Sequence, residues 1–382
     1  MRLAFLCHPS IVRDPVDPAT VWSSPRGLTG SEIAYFKFAE HLGAMGHDVF
    51  MFTKFTEAGS IGTVKCLPYD QWESSYCRQG WDAACGWTTA EPLFHVRPGT
   101  FRFLNHQCNG FSTSPTGWEQ HVDVLAPLSN THARLTVHET SFPRDRWRVL
   151  HNGVDTQKFS PGPKVSGKII WASSLDRGLH WLLEMFPAVR REVPHAELHI
   201  FYNFHSVNHM AVEYVPGKSF ITPMHLELGA RSRYILEAIR RMEGLGVHAH
   251  QSVSRESMED EMRTSSVLAY PLDPVYFTET FGVVVLEACA SGTAPLLCTA
   301  DAFGELWGSA AECVPPPFKD HRPEFFRKLV RLLTDEPHRG EVARRCVSHA
   351  KRFEWSSLAA NLEMFLRTRG SEGLPRVDWT GI

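Results

Sequence analysis

The sequence has no apolar run long enough to cross a bilayer as a helix, no pair of cysteines in C-x-x-C spacing, no short-period repeat and no low-complexity tract. Each absence closes off a class of protein. Without an apolar span of about 20 residues the chain is not expected to cross a membrane helically. Nine cysteines, an odd number scattered from Cys7 to Cys346, suit reduced thiols better than a disulfide or zinc framework. A cytoplasmic location is therefore expected, and no metal. The opening MRLAFLCHPS is too short for a signal-peptide core and reads as a first buried strand. Lysine and arginine total 39 against 42 acidic residues, a net charge of −3, which leaves no footprint for non-specific nucleic-acid binding. The arginines between Arg322 and Arg369 read as solvated helix faces rather than a polyanion site. After the first strand the chain reads CHPSIVRDPVDP, with no G-x-G-x-x-G, which excludes a dinucleotide oxidoreductase.

Usage is otherwise that of a globular protein, 43% hydrophobic and 21% charged, and 382 residues exceed what one core supports, so two domains are expected. Short apolar runs alternate with longer segments of helical period, the pattern of β-α units on parallel sheets. RLAFLCH, TGSEIAYFKFAEHLGAMG and HDVFMFTKF form one strand-helix-strand unit; FRFLNH, VDVLAPLS, NTHARLTVH and RWRVLHN continue it as strand, strand, helix and strand. FSPGPKVSGK, residues 159 to 168, then breaks the pattern as a linker, and the cycle restarts at IIWASS. The expected organisation is a first α/β domain over residues 1–158, the linker 159–168 and a second α/β domain over 169–354, with a last helix at about 355–370. Residues 203 to 231 have little periodicity and read as a long loop. The stretch from Trp72 to Gly117, with Trp81, Trp87, Phe94 and Phe101 among Gly and Pro, reads as irregular loops for an acceptor.

The stretch TETFGVVVLEACASGTAPL, residues 278 to 296, sets Glu279 and Glu287 around a Phe-Gly and three valines. Val283, Val284 and Val285 are β-branched, so the local sequence fits a strand as well as a helix. As a helix beginning near Phe281, it would present the backbone N–H groups of Thr280, Phe281 and Gly282 at its positive end, a site for phosphate. The two carboxylates could accept hydrogen bonds from sugar or ribose hydroxyls. A nucleotide-sugar has all of these parts.

Read as E-x-F-G-x-x-x-x-E-A-x-A-x-G from Glu279 to Gly292, the stretch resembles the E-x7-E motif of glycosyltransferase family 4, retaining enzymes of GT-B fold. GLTGSEIAYFKFAEHLGAMGHDV resembles that family's glycine loop and first helix, VLHNGVDTQKF its entry to the linker, and SSLDRGLHWLLEMF its basic-Gly signature. These matches span most of residues 1 to 360. The resemblance implies two Rossmann-like α/β/α domains facing each other across a cleft, with the last helix packing back on the first. It implies that Glu279 contacts the donor sugar, as nucleophile or, the reading preferred here, as ligand. Glu287 would take the ribose hydroxyls, and the backbone of Thr280, Phe281 and Gly282 the sugar and phosphates. Arg177 would hold the diphosphate with help from Ser173, Gly30 would belong to a loop that closes over it, His106 would face the transferred sugar, and Val253 would meet the base. One departure stands out: where the family has a second basic residue ahead of Arg177, this chain reads Ala172, Ser173, Ser174.

The implied activity is transfer of a hexosyl group from a UDP- or GDP-sugar to a saccharide or other hydroxyl acceptor, with the anomeric configuration retained. No tightly bound cofactor is implied. No D-x-D pair stands in a donor loop, so metal independence is expected. Peripheral attachment to the cytoplasmic face of a membrane stays open. Two rivals share the architecture: a sugar-nucleotide epimerase and a non-catalytic nucleotide-sugar-binding subunit.

Overall fold

The computed structural model describes residues 1–12, 14–25, 27–217 and 221–380. The chain divides into two compact units. The first comprises Met1–Ser24, Leu28–Gly153 and Phe353–Ile382, the second Pro25–Gly27 and Val154–Arg352.

In the first unit the strands are β1 (Arg2–Cys7), β2 (Asp48–Thr53), β3 (Gly59–Ile61), β4 (Val64–Pro68), β5 (Ala83–Trp87), β6 (Phe101–Asn105) and β7 (Val124–Ala126). They lie in the order β3-β4-β2-β1-β5-β6-β7, parallel except where β3 meets β4. The central strands β1 and β5 are apolar almost throughout, because helices cover both faces of such a sheet and leave no solvent side. The order reverses direction between β1 and β5, the kind of switch point where an α/β sheet opens a crevice at its carboxyl ends.

The helix Gly30–Ala44 starts on a capping box, with Thr29 accepting from the Glu32 amide and the Glu32 carboxylate accepting from the Thr29 amide. The helix Trp355–Arg367 packs on it, Phe38 meeting Trp355 edge-on at 5.2 Å, while Phe365 contacts Phe103 at 5.5 Å. Gly153 explains part of the HNGVD motif: a Cβ there would lie 2.6 Å from the Trp355 ring. The glycine serves close packing of that helix.

The second unit holds β8 (Lys168–Trp171), β9 (Glu197–Phe201), β10 (Val247–His250), β11 (Val267–Tyr270), β12 (Ala294–Cys298) and β13 (Glu312–Val314). Their order is β10-β9-β8-β11-β12-β13, and every pair is parallel. The switch point falls between β8 and β11.

The structure departs from the sequence expectations in three places. Residues 203 to 231 are largely helical, as Phe204–Glu213 and the first part of Pro223–Met242. Local signals start both: Asn203 accepts from the His205 amide, and Thr222 caps the second helix with Pro223 at its first position. The second helix buries only Leu228, Gly229, Ser232, Ile235 and Ala238, a stripe too thin to read as periodic. RWRVLHN is not a strand; it contributes single bridges from Trp147 to Leu125 and from Arg148 to Arg376. Trp81 and Trp87 are not in acceptor loops. Both are buried, with indole N–H groups bonded to the carbonyls of Tyr76 and Ser31. Within segment 159–168, Lys164 Nζ donates to the Arg263 and Ser291 carbonyls at 2.8 Å and to Thr293 Oγ1 at 3.1 Å. Lys168 already belongs to β8.

Candidate functional site

The stretch around Gly282 follows β11. Its ambiguity resolves as a helix, Val283–Ala290, buried at every position after the first. Burial on all sides lets packing override the β-preference of the three valines. The start is a glycine by necessity: Gly282 has φ +85°, and a Cβ there would stand 2.5 Å from a Phe303 ring carbon. Phe281 lies in the core against Trp307, whose indole N–H donates to the Phe281 carbonyl at 2.9 Å. Thr280 is buried beside it. The amides of Val283 and Val284 have no helical carbonyl one turn back to bond, as at any helix start, whereas those of Val285 and Leu286 bond the Gly282 carbonyl at 3.0 and 3.2 Å.

Glu279, 4% exposed, is the centre of a polar knot. Its Oε1 accepts from Arg177 Nη1 at 2.5 Å, from the Tyr270 hydroxyl and from Ser173 Oγ at 3.4 Å. Ser173 and Tyr270 also bond each other at 2.7 Å. Behind the glutamate, Asp301 Oδ2 accepts from the amides of Thr278 and Glu279 at 3.0 and 2.9 Å. Burial pushes the Tyr270 phenol up, and the Glu279 charge pushes it further, so it stays a donor. Burial alone would lower the Arg177 guanidinium, but Glu279 and the neighbouring Tyr270 and Asp176 raise it well above its ordinary value. Arg177 Nε is buried and makes no hydrogen bond among the described residues. Thus Ser173, Arg177, Glu279, Thr280, Phe281 and Gly282 are brought together at the carboxyl end of β11.

Glu287 is also buried and also paired: Arg255 Nη2 donates to its Oε1 at 2.7 Å. Arg255 opens the helix Arg255–Thr264 and lies over the Phe159 ring at 4.8 Å. Val253, half-buried, sits in the turn between β10 and that helix. Each carboxylate of the motif therefore has its own arginine, which is how so apolar a segment carries two charges.

The remaining expected residues are in the first unit. Gly30 is the first residue of its helix. Beside it, Thr29, Ser31 and Glu32 line a pocket of about 100 Å³ with Cys7, Thr53 and Trp87, the last residues of β1, β2 and β5. His106 does not face that pocket. Following β6 directly, it is fully buried, stacked on Phe111 at 4.2 Å and tilted against His132 at 4.8 Å. Burial, aided by His132, pushes its imidazole well down, with the Thr88 backbone opposing the shift. The expectation of a sugar-facing histidine is corrected accordingly. Gln107, the next residue, does line the pocket; its side-chain amide exchanges hydrogen bonds with Asn152 at 2.9 and 3.2 Å.

Sequence reasoning missed Tyr270, Asp301, Arg255 and Arg231. Tyr270 is the one with a signal, as the polar end of the apolar run VLAY. The others come from distant segments. Arg231 reaches the Arg177 turn from helix Pro223–Met242, donating to the Asp273 carbonyl at 2.5 Å and the Asp176 carbonyl at 3.3 Å. A second guanidinium thus stands near the turn that carries Ser173, Ser174 and Arg177. Among the described residues, only Glu197, His199 and His248, on β9 and β10, bring three possible metal-ligand atoms within 4.8 Å of one another. No described helix is long and apolar enough to cross a membrane.

No family model matches the chain. It is 27% identical over 318 residues to D-inositol 3-phosphate glycosyltransferase 2 of Catenulispora acidiphila, covering 76% of this chain and 69% of that protein. In structure it is similar to sucrose-phosphate synthase from Thermosynechococcus elongatus, with a TM-score of 0.68 at 14% identity over 96% of this chain and 99% of that one. It is also similar to Anabaena HepE in complex with UDP, with a TM-score of 0.63 at 12% identity over 96% of this chain and 100% of that one. The same HepE is known in complex with UDP-glucose.

Proposed function

We propose that this chain, a glycosyltransferase of GT-B fold, transfers a hexosyl group from a UDP-sugar to a hydroxyl acceptor with retained configuration and without a metal ion. The observation that carries the reading is Glu279, buried and held by Arg177, Tyr270 and Ser173 directly ahead of the helix that starts at Gly282. In the reaction the bond from the anomeric carbon to the diphosphate breaks as charge builds on the leaving oxygen. The Arg177 guanidinium and the first amides of the Gly282 helix would meet that charge. Glu279 accepts from the donor sugar's hydroxyls, Glu287 from the ribose, and the departing phosphate takes the acceptor's proton. Thr280 and Phe281 supply backbone around the sugar, Val253 meets the base, and Gly30 belongs to the loop that closes over the diphosphate.

Two arginine pairs already neutralise the glutamates, so a donor gains affinity by exchanging one set of charge-assisted bonds for another. That exchange favours a diphosphate-bearing ligand over a neutral sugar. The name of the Catenulispora relative suggests D-inositol 3-phosphate as the first acceptor to try. The test is UDP release from UDP-glucose and related UDP-sugars with that acceptor and a panel of glycosides, with product configuration read by NMR. Retained configuration and rates unchanged by EDTA are expected. An inverted product, a rate abolished by EDTA, or UDP release no faster than hydrolysis with every acceptor would overturn the reading.

A further inference from the structure

The first unit carries a second concavity, at the opposite ends of its strands. It is a pocket of about 890 Å³ built around Phe101 and Arg102 at the start of β6 and Val124 at the start of β7. Its size falls within the range of small-molecule sites. Six arginines line it, Arg97, Arg102, Arg146, Arg148, Arg369 and Arg376, against two carboxylates, Asp123 and Asp145. The whole chain has a net charge of −3, so this is a local inversion of its charge.

Three of these arginines build the wall. Arg102 grips Asp123 through Nη2 at 2.9 Å and removes that carboxylate from the balance. Arg148, buried, donates to the Asp145 and Trp147 carbonyls at 2.7 and 2.9 Å. Arg369 reaches the Gly99 carbonyl at 2.9 Å. Carbonyls satisfy donors and cancel no charge. The other three, Arg97, Arg146 and Arg376, are exposed, and their guanidiniums make no hydrogen bond or ion pair among the described residues. Burial and the nearby Arg376 lower Arg148 while Asp145 opposes them, so a bound anion would relieve the repulsion between these two guanidiniums.

We propose that this pocket binds a compact polyanion carrying at least two phosphate or sulfate groups, at a site separate from the one that holds Glu279. Planar guanidiniums take such groups bidentately, and three of them uncommitted around one cavity suit a multiply charged ligand better than a single carboxylate. Phe94, stacked on His121 at 4.1 Å, and Phe101 give the lining an apolar part that a ring could contact.

The test is calorimetric titration of the full chain with tripolyphosphate, with UDP at saturation so that the second unit's diphosphate site is filled. One binding event is expected, weakening with added salt. Arg146→Gln with Arg376→Gln should weaken it about ten-fold or more. Both residues are exposed and unbonded, so folding is not at stake. Arg322→Gln, on the second unit, should leave it unchanged. Vesicles containing cardiolipin, whose headgroup carries two phosphates, form a second arm. Co-sedimentation lost in the double variant assigns the phosphates to a lipid headgroup; tripolyphosphate binding lost in the double variant without such co-sedimentation assigns them to a soluble ligand. Binding to neither probe, or binding that the double variant keeps, overturns the proposal.

Discussion

Arg177 and Glu279, 102 positions apart in sequence, share a 2.5 Å hydrogen bond in which the carboxylate is almost wholly buried. Such a pair is hard to break from one side, because the survivor is left charged and unsolvated. Glu279→Ala should therefore cost stability as well as turnover, by about 2–4 kcal/mol for unfolding of the second unit. Arg177→Met combined with Glu279→Met should cost clearly less than the two single changes added together. Additive losses in urea unfolding would show that the pair is not coupled.

The two glutamates are expected to fail differently. Glu287→Ala should raise the dissociation constant of UDP about ten-fold, or about 1.4 kcal/mol. Glu279→Ala should mainly lower kcat. Equal UDP affinity in wild type and Glu287→Ala, measured by calorimetry, would remove the ribose assignment.

Gly282 combines a left-handed backbone with a contact that leaves no room for a Cβ, whereas Gly244, in the same unit, has φ +77° and open space around it. Gly244→Ala therefore reports the backbone cost alone, about 1 kcal/mol. Gly282→Ala should cost at least about 2 kcal/mol more, since Phe303 must move. Similar melting temperatures for the two variants would contradict the packing at the helix start.

The first unit should lose stability on mild acidification. His132 Nδ1 accepts from the Leu128 amide at 3.2 Å and Nε2 bonds the Cys108 carbonyl at 2.7 Å, an arrangement only the neutral ring can make. Burial pushes it down to about 4. Between about pH 6.5 and that value the unfolded chain holds a proton that the folded one does not, so stability falls as pH falls. From pH 7 to 5 wild type should lose about 2 kcal/mol more than His132→Gln, read from urea midpoints. Parallel pH profiles would rule out His132 as the titrating group, since His106 is present in both.

Most of the central strands were legible because burial on both faces writes itself as short apolar runs; the same burial left the E-x7-E stretch readable as strand or helix. Glu279, Gly282 and Arg177 were legible for a different reason: a motif compresses a three-dimensional arrangement into fixed spacing. What spacing does not carry was lost. Arg231 and Asp301 reach the site from other segments, and no local pattern marks them. Trp81 and Trp87 looked like loop aromatics because glycine and proline surround them, yet their indoles find carbonyl partners inside the core. His106 shows the limit of position alone, since a residue at the end of a strand can turn inward as well as outward. The helix at 204–213 and the first turns of the one at 223–242 bury so few side chains that only their capping residues mark them.

The helix Trp355–Arg367 belongs to the first unit although the whole second unit precedes it. On the ribosome, then, the first sheet emerges early but waits through about 200 residues of elongation for the element that covers Phe38 and Phe103. At about 5–20 residues per second that interval is roughly 10–40 s. The later-made unit is nearly contiguous and can complete its own core first, so the order of maturation runs opposite to the order of synthesis. Throughout that delay the nascent chain presents a greasy, half-finished face, and a chaperone that shields it acts on the amino-terminal half long after that half has left the exit tunnel.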